Sequence, residues 1–382
     1  MRRLLLLASA IVFVDTMFFA AVVPILPALA DEFDLSKSAA GILTASYAAG
    51  TLLASLPSGW LAARIGVRPT VLAGLGLMSA SSIAFALAQE AWILDLARFV
   101  QGVGGAASWA GALSWLIGAA PSERRGELIG SAMAAAIAGA LFGPVLGGLA
   151  EAGGRGPVFS AVAVAGVGLM AWALRTPAFE SEAVSGLRAM GRAVLDARVA
   201  AGFWLVVLPG MIFGVIDVLV PLRLDVLGAS AAAIAVVFLA AAALEAVVSP
   251  IAGRVSDRVG RVLPSLGALA GCAAVVALLS LPDVAWVLAA LVIALGPAIG
   301  TLWAPAIALL SDAAEARGVH QGFAFALTNL AWASGALVGS AGGALIGEEI
   351  GDAAAYLGLA GLCLGTVLVL VSRSGPRTRV RT

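Results

Sequence analysis

The sequence predicts an all-α integral membrane protein with twelve transmembrane helices in two pseudo-symmetric six-helix bundles. Hydrophobic residues make up 62% of the 382 residues and charged residues only 12%. So few charges would not cover the surface of a soluble domain of this size. Twelve apolar segments follow one another along the chain, and short stretches of the first six recur in the last six.

The twelve segments have the length that a helix needs to cross about 30 Å of hydrocarbon. They cover residues 4–30, 39–63, 69–89, 94–119, 128–150, 157–174, 201–222, 230–252, 262–281, 285–311, 321–346 and 353–372. A long connection separates six from six. We therefore predict a six-helix bundle at 1–175, a cytoplasmic linker at 176–199 containing a short amphipathic surface helix, and a second bundle with a cytoplasmic tail at 200–382.

Loop charges predict the orientation of the chain. If the N-terminus is cytoplasmic, the loops on that side hold all but four of the 22 basic residues. Positive residues favour the cytoplasmic side of membrane proteins. Both termini are therefore predicted to be cytoplasmic, in a multi-pass protein of the cell (inner) membrane. The four exceptions are Lys37, Arg98, Arg155 and Arg223.

Composition also excludes several kinds of partner. The formal net charge is zero and there is no basic patch, so a nucleic-acid partner is not expected. Cys272 and Cys363 lie in apolar runs and are predicted to be core residues, not a disulfide. With His320 as the single histidine, we predict no metal site and no cofactor.

Three acidic residues lie deep inside apolar segments: Asp15, Asp217 and Glu245. A charge at the bilayer centre costs about 2.5–3.5 kcal/mol on insertion scales, so such residues are usually functional. Burial makes a carboxylate easier to protonate. We predict Asp217 and Glu245 as proton-coupling residues; the alternative is that they make polar contacts between helices.

Aromatic residues are close to these acids in helical spacing. Phe18 and Phe19 follow Asp15 by three and four residues, and Phe213 precedes Asp217 by four. A carboxylate beside aromatic rings suits an organic cation. We predict Asp15 and these three phenylalanines as substrate contacts. The alternative for Asp15 is a protonated, hydrogen-bonded packing residue.

An internal repeat relates the two halves. GWLAARIG at 59–66 recurs as GRVSDRVG at 253–260, a shift of 194 residues that also relates Trp109 to Trp303. With a gap, GPVLG at 143–147 aligns with GALVG at 335–339. Parallel six-helix halves are typical of one large transporter class, in which the substrate site lies near the midplane between the halves.

These stretches resemble the major facilitator superfamily over essentially the whole chain. Its signature G-x-x-x-D-R-x-G-R is present in the second half as Gly253, Asp257, Arg258, Gly260 and Arg261. The first-half copy keeps three positions and shifts a fourth by one: Gly59, Arg64, Gly66 and Arg68. Ala63 replaces its acidic residue. The resemblance implies that these residues hold helices together on the inner side, more weakly in the first half or through helix-end dipoles. The alternative is an ordinary basic turn.

The fourth segment resembles the family element R-x-x-Q-G-x-G-A-A through Arg98, Gln101 and Gly102. In related proton antiporters that arginine acts in proton coupling, so the resemblance implies this role for Arg98. The alternative is that its side chain snorkels to the interface or caps backbone carbonyls.

The fifth segment resembles the element G-x-x-x-G-P-x-x-G-G of the twelve-span drug–proton antiporter branch. The matching residues are Gly139, Gly143, Pro144, Gly147 and Gly148. Glycines four residues apart form a groove that lets another helix approach, and a proline bends its helix. A generic small-residue packing face would account for the same glycines.

The first segment, VDTMFFAAVVPILP, resembles the first helix of vesicular amine and acetylcholine transporters and their bacterial relatives. In that group an aspartate at the position of Asp15 contacts the amine of the substrate. Asn329 stands where the group has an acidic residue, and we predict it as a substrate contact. Tyr47 is nearest to the position of the group's lysine. Because these two positions differ, the substrate and the coupling stoichiometry of that group cannot be transferred to this chain.

The leading hypothesis is an antiporter that exports amphiphilic cationic drugs or amines by alternating access, as a monomer driven by the proton gradient. The first alternative is a proton-coupled symporter or uniporter for a small metabolite on the same fold. A membrane enzyme or receptor is the second. Against an enzyme, the sequence has no Ser-His-Asp or Cys-His set and no phosphate-binding loop.

Overall fold

The computed structural model describes residues 1–120, 125–177, 196–317 and 321–374. Within these ranges most residues are helical and no strand occurs. The predicted fold class is confirmed.

In its described residues the N-terminal half contains seven α-helices. They are α1 (Arg2–Ala20), α2 (Leu26–Glu32), α3 (Lys37–Ile65), α4 (Val67–Leu87), α5 (Ala91–Ala119), α6 (Arg125–Gly153) and α7 (Arg155–Leu174). A 3-10 turn, Val23–Ile25, joins α1 to α2 within the first span. Pro24 and Pro27 lie at this break; each lacks a backbone N–H, so regular helical hydrogen bonding is interrupted.

The C-terminal half contains seven more. They are α8 (Ala197–Val226), α9 (Ala231–Val259), α10 (Val262–Leu278), α11 (Ala285–Glu315), α12 (Gln321–Leu337), α13 (Gly343–Glu349) and α14 (Asp352–Ser374). A π-helical segment, Val338–Gly342, joins α12 to α13 within one span.

Among the described residues, ten spans are long and apolar enough to cross a membrane by length and composition. The helix α10 is apolar but shorter. The helix α5 has 29 residues, or about 43 Å at 1.5 Å per residue. These helices together make twelve spans, as predicted.

Two equivalent glycines end α3 and α9. Gly66 has a φ of 97° and Gly260 a φ of 87°, a conformation that glycine adopts without a steric penalty. The signature shared by these two regions therefore lies mostly on the last helical turns and not in a loop. Each helix therefore extends beyond its predicted apolar segment. Hydropathy does not predict the added residues, because helical hydrogen bonding continues past the apolar segment until the glycine interrupts it.

Each half has its own hydrophobic core. One core is formed mainly by α1–α7 and the other by α8–α14. Residues 178–195, between the halves, lie outside the described ranges. The predicted linker, its surface helix and the domain boundaries at 175 and 200 therefore stay predictions.

Close backbone contacts repeat at equivalent positions of the two halves. A Cβ atom on Gly102 would lie 2.0 Å from the carbonyl oxygen of Tyr47, and one on Gly296 would lie 2.2 Å from that of Ala241. Both pairs are related by the shift of 194 residues. Only glycine permits such an approach between α5 and α3, or between α11 and α9.

A second set of glycines corrects the alignment of GPVLG with GALVG. A Cβ atom on Gly139 would lie 2.4 Å from the Phe13 carbonyl oxygen, and one on Gly335 would lie 2.1 Å from that of Val207. The structure thus pairs Gly139 with Gly335, not Gly143 with Gly335. The sequence alignment is one helical turn out, because glycines that recur every four residues allow such a slip.

Polar contacts join the two halves at the end of the bundle where α3 begins, which we call the Lys37 end. The Lys37 ammonium lies 2.5 Å from Asp352 Oδ1 and donates to the Gly347 carbonyl oxygen. The Ser38 backbone N–H donates to Glu348 Oε2 at 2.5 Å. Glu348 thereby caps the start of a helix in the other half.

Candidate functional site

Asp15 lies on α1 in the interior, with 1% of its surface exposed. The Tyr47 hydroxyl and the Trp109 indole N–H both donate to its Oδ2, at 3.0 and 2.9 Å. Its Oδ1 is buried and accepts no hydrogen bond from the described residues. A Cβ atom at Gly105 would lie 2.8 Å from Oδ1, so glycine leaves the room for the carboxylate. A buried carboxylate with one bare oxygen is available for a positively charged partner.

An aromatic cluster adjoins this carboxylate and connects the two halves. The Phe19 ring centroid lies 4.6 Å from that of Tyr47 and 5.4 Å from that of Trp332. Trp332 also contacts Tyr47, at 6.3 Å. Phe19 and Tyr47 belong to the N-terminal half and Trp332 to α12. Relative movement of the halves must therefore change this cluster.

Arg98 is also interior, with 1% of its surface exposed. It donates to Gln101 Oε1 at 2.7 Å and, at 3.5 Å, to the Phe19 carbonyl oxygen. Its guanidinium carbon lies 5.4 and 5.1 Å from the ring centroids of Phe19 and Tyr47, within cation–π range. The side chain therefore does not snorkel to the surface. It interacts electrostatically with both Asp15 and Asp217.

The acidic residues of the C-terminal half lie near each other. Asp217 on α8 is 8% exposed, and Glu245 on α9 is partly exposed. The two interact electrostatically. Arg98 also reaches Asp217 electrostatically. The structure thus links Asp15 and Asp217 through one buried arginine, and Glu245 is linked to them through Asp217.

The remaining predicted substrate contacts separate into two groups. Phe213 is partly exposed and lies 6.5 Å from Trp303, ring to ring. Asn329 on α12 is also partly exposed. Phe18 instead points into the N-terminal core, with its ring centroid 5.3 Å from Phe159 and 6.2 Å from Phe85. We therefore leave Phe18 out of the candidate site.

The predicted glycine motif on α6 packs against the first span, which carries Asp15. Cβ atoms at Gly139, Gly143 and Gly147 would each lie within 2.5 Å of an atom of that span. Gly148 instead faces Ala235 of α9, in the other half. Pro144 lies inside α6; its structural equivalent, Ser340, lies in the π-helical segment.

The arginine signatures of the two halves make different contacts. Arg261 donates to Asp257 at 3.0 Å and to Asp312 on α11 at 2.9 Å. Arg68 donates instead to the Thr176 carbonyl oxygen, just beyond the end of α7. Arg64 lies over the Trp60 ring at 5.0 Å. Gly59 has open space around it, and Arg258 is exposed.

Sequence reasoning did not select Tyr47, Trp109 or Trp332 as site residues. Tyr47 was singled out only as the residue nearest to a missing lysine. The repeat offered one signal, since Trp109 and Trp303 are related by the shift of 194 residues. The equivalence of these two tryptophans would have predicted an indole N–H near a buried carboxylate in each half.

The sequence profile of the Major Facilitator Superfamily matches residues 8–336 and 227–382. The tetracycline resistance protein, class E, of Escherichia coli is 32% identical over 174 residues, 44% of this chain and 43% of that protein. The quinolone resistance protein NorA of Staphylococcus aureus (strain MRSA252) is 29% identical over 144 residues, 37% of each. The MFS-type transporter ppzB of Metarhizium rileyi (strain RCEF 4871) is 32% identical over 158 residues, 40% of this chain and 33% of that protein. The matches thus span less than half the length of these relatives.

Solved structures match the fold over the whole chain. The xylose transporter XylE from E. coli, in a partially occluded inward open conformation, has a TM-score of 0.74 at 15% identity and covers 100% of this chain and 99% of that one. A D-xylose-proton symporter has a TM-score of 0.73 at 18% identity, with the same coverage. At these identities the likeness concerns the fold alone. The profile match, together with the twelve-span fold, establishes that this chain is a multi-pass membrane transporter that belongs to the major facilitator superfamily.

Proposed function

We propose that this transporter exports amphiphilic organic cations in exchange for protons, by alternating access of its two halves. The observation that carries the proposal is the Asp15 carboxylate. Two donors converge on Oδ2 while Oδ1 stays bare, beside the rings of Phe19 and Tyr47. A buried carboxylate is costly unless hydrogen bonds and an opposite charge offset its desolvation or a proton neutralises it. An aromatic wall next to it favours an organic cation.

Charge balance supports the exchange of a cation for a proton. Arg98 is the buried cation that acts on Asp15 and Asp217, and Asp217 in turn interacts with Glu245. If all three acids were ionised, one guanidinium would leave excess negative charge in the interior, which is unfavourable. We assign the proton to Asp217 and Glu245, with Arg98 coupling them to Asp15. Protonation of Asp217 and Glu245 and binding of a cation at Asp15 then exclude one another.

The names of the sequence relatives support export of drug-like compounds. Two of them are tetracycline and quinolone resistance proteins. In the membrane we place the arginine-rich end on the cytoplasmic side, together with both termini, following the positive-inside rule. The cell membrane is then the site of action, and the protein acts as a monomer.

Transport in proteoliposomes tests the proposal. Vesicles with an acidic lumen, a neutral exterior and a clamped membrane potential should accumulate a permanently charged quaternary ammonium dye. A permanent charge prevents trapping of the dye by protonation. Protein-free vesicles and vesicles with Asp15→Asn protein should accumulate only the background amount. Accumulation that instead requires an acidic exterior and a neutral lumen would indicate symport and would contradict the proposed antiport.

Weakening the Lys37 end should shift the conformational equilibrium of the two halves. Lys37→Ala removes an ion pair whose side chains are 30% and 23% exposed. Partly solvated pairs are worth up to about 1 kcal/mol, so the state open at the Lys37 end should gain about two- to fivefold. Spin labels at the exposed residues Glu90 and Glu349, in opposite halves, would measure this gain as a longer-distance population.

A second ion pair at the same end provides the control. Arg223 lies 2.9 Å from Asp283, and both residues belong to the C-terminal half. Arg223→Ala removes an ion pair that lies within the C-terminal half and is more exposed, with side chains 37% and 89% exposed. It should leave the distance distribution unchanged. An equal shift in both variants would mean that the Lys37 contacts do not hold the halves together.

A further inference from the structure

The two halves present equivalent aromatic side chains to the centre of the molecule. The shift of 194 residues relates Phe19 to Phe213 and Trp109 to Trp303. In the N-terminal half these positions surround Asp15, where Trp109 donates to the carboxylate. In the C-terminal half Phe213 and Trp303 contact one another edge to face, with centroids 6.5 Å apart at 90°.

Two carboxylates adjoin the aromatic pair of the C-terminal half. Asp217 is one helical turn after Phe213 on α8. The Glu245 side chain passes over Gly300, where an added Cβ atom would lie 3.2 Å from Glu245 Cγ. Gly300 is about one turn before Trp303 on α11. Since Asp217 and Glu245 also interact electrostatically, these four side chains form one group.

Neither carboxylate has a hydrogen-bond or ion-pair partner among the described residues, although Arg98 acts electrostatically on Asp217. Asp217 is 8% exposed, and none of the hydrogen bonds or ion pairs among the described residues involves it or Glu245. Such a side chain is unfavourable unless a cation or a proton joins it. Glu245, Phe213 and Trp303 are all partly exposed, whereas Asp15 is not. A ligand therefore reaches the C-terminal group more easily than it reaches Asp15.

We propose that Phe213, Trp303, Asp217 and Glu245 form a second binding site for an aromatic organic cation, which receives the substrate before Asp15 does. The inference rests on the proposed function, since it assumes a cationic substrate. Aromatic faces and carboxylates provide the same two attractions as at Asp15. Because this site uses the carboxylates to which we assign the proton, a proton and a cation compete for it directly.

Binding stoichiometry tests the second site. Purified full-length protein in detergent, equilibrated with labelled tetraphenylphosphonium at pH 8, should bind two equivalents. Asp15→Asn should retain only the equivalent of the C-terminal half. Glu245→Gln and Trp303→Leu should each weaken that equivalent at least tenfold and leave the Asp15 equivalent in place. Trp303→Phe, which keeps an aromatic face, should retain both.

Trp286→Leu is the matched control, since Trp286 is on the same helix as Trp303 but is 73% exposed. It should bind two equivalents, and thermal unfolding should verify that every variant is folded. One equivalent in the wild type, lost in Asp15→Asn and unchanged in Glu245→Gln and Trp303→Leu, would overturn the second site alone. No cation binding by the wild type would overturn the proposed function as well.

Discussion

Replacing Asp15 with asparagine is expected to weaken tight binding of a lipophilic monocation about 100-fold or more. Asparagine keeps the shape of the side chain and can still accept hydrogen bonds from Tyr47 and Trp109. It lacks the negative charge that attracts the ligand. Removing one partner of a buried charge pair typically costs about 2–5 kcal/mol, and each 1.4 kcal/mol is a factor of ten in affinity.

Isothermal titration of the detergent-purified variant with tetraphenylphosphonium would measure this loss at the Asp15 site, as distinct from the equivalent that the C-terminal half retains. The matched control is Asp95→Asn, which makes the same change near the start of α5, where Asp95 is partly exposed. The control should bind as the wild type does. Unchanged affinity in Asp15→Asn would assign Asp15 to packing and would remove the observation on which the proposed function depends.

Replacing Gly147 with alanine is expected to destabilise the protein by about 1–3 kcal/mol, the usual range for overpacking. The added Cβ atom would lie 2.2 Å from the Ala21 carbonyl oxygen and 2.5 Å from Pro24 Cγ. Neither a backbone atom nor a proline ring moves aside easily. To relieve the contact, α6 must move away from the first span, which carries Asp15.

The adjacent glycine makes a strict control for this variant. A Cβ atom on Gly148 would lie 3.6 Å from Ala235 Cβ, an ordinary van der Waals contact. Gly148→Ala should therefore keep the wild-type unfolding temperature, whereas Gly147→Ala should lower it by several degrees. Equal unfolding temperatures would mean that α6 does not depend on close packing at Gly147.

The spans could be predicted because hydropathy reports directly on burial in lipid. The ends of several helices could not be predicted in this way. The predicted segment ended at residue 252, but α9 continues to Val259. Its last turns are polar and lie beyond the apolar core, where hydropathy carries no information about helical hydrogen bonds. The break in the first span, at Pro24 and Pro27, was not predicted, because hydropathy treats residues 4–30 as one apolar segment.

The candidate site was predictable in part. Asp15 was identified because charge is rare in an apolar segment, and its neighbour Phe19 does join the aromatic cluster. Phe18 does not, although it is also about one turn from Asp15. On a helix with 3.6 residues per turn, positions i+3 and i+4 lie on opposite sides of position i. Sequence spacing alone does not tell which side faces the other half and which the core. Tyr47, Trp109 and Trp332 come from other helices, so their contacts depend on tertiary packing.

The paired glycine contacts explain how a symmetric frame can hold an asymmetric site. Gly102 and Gly296 each approach a backbone carbonyl, that of Tyr47 and that of Ala241. Such a contact involves only backbone atoms, so it does not depend on the side chain of the residue that carries the carbonyl. After a duplication of one half, the helices could thus keep their packing while the central side chains diverged freely. One half has the phenol that donates to Asp15, and the other has only a methyl group at the equivalent position.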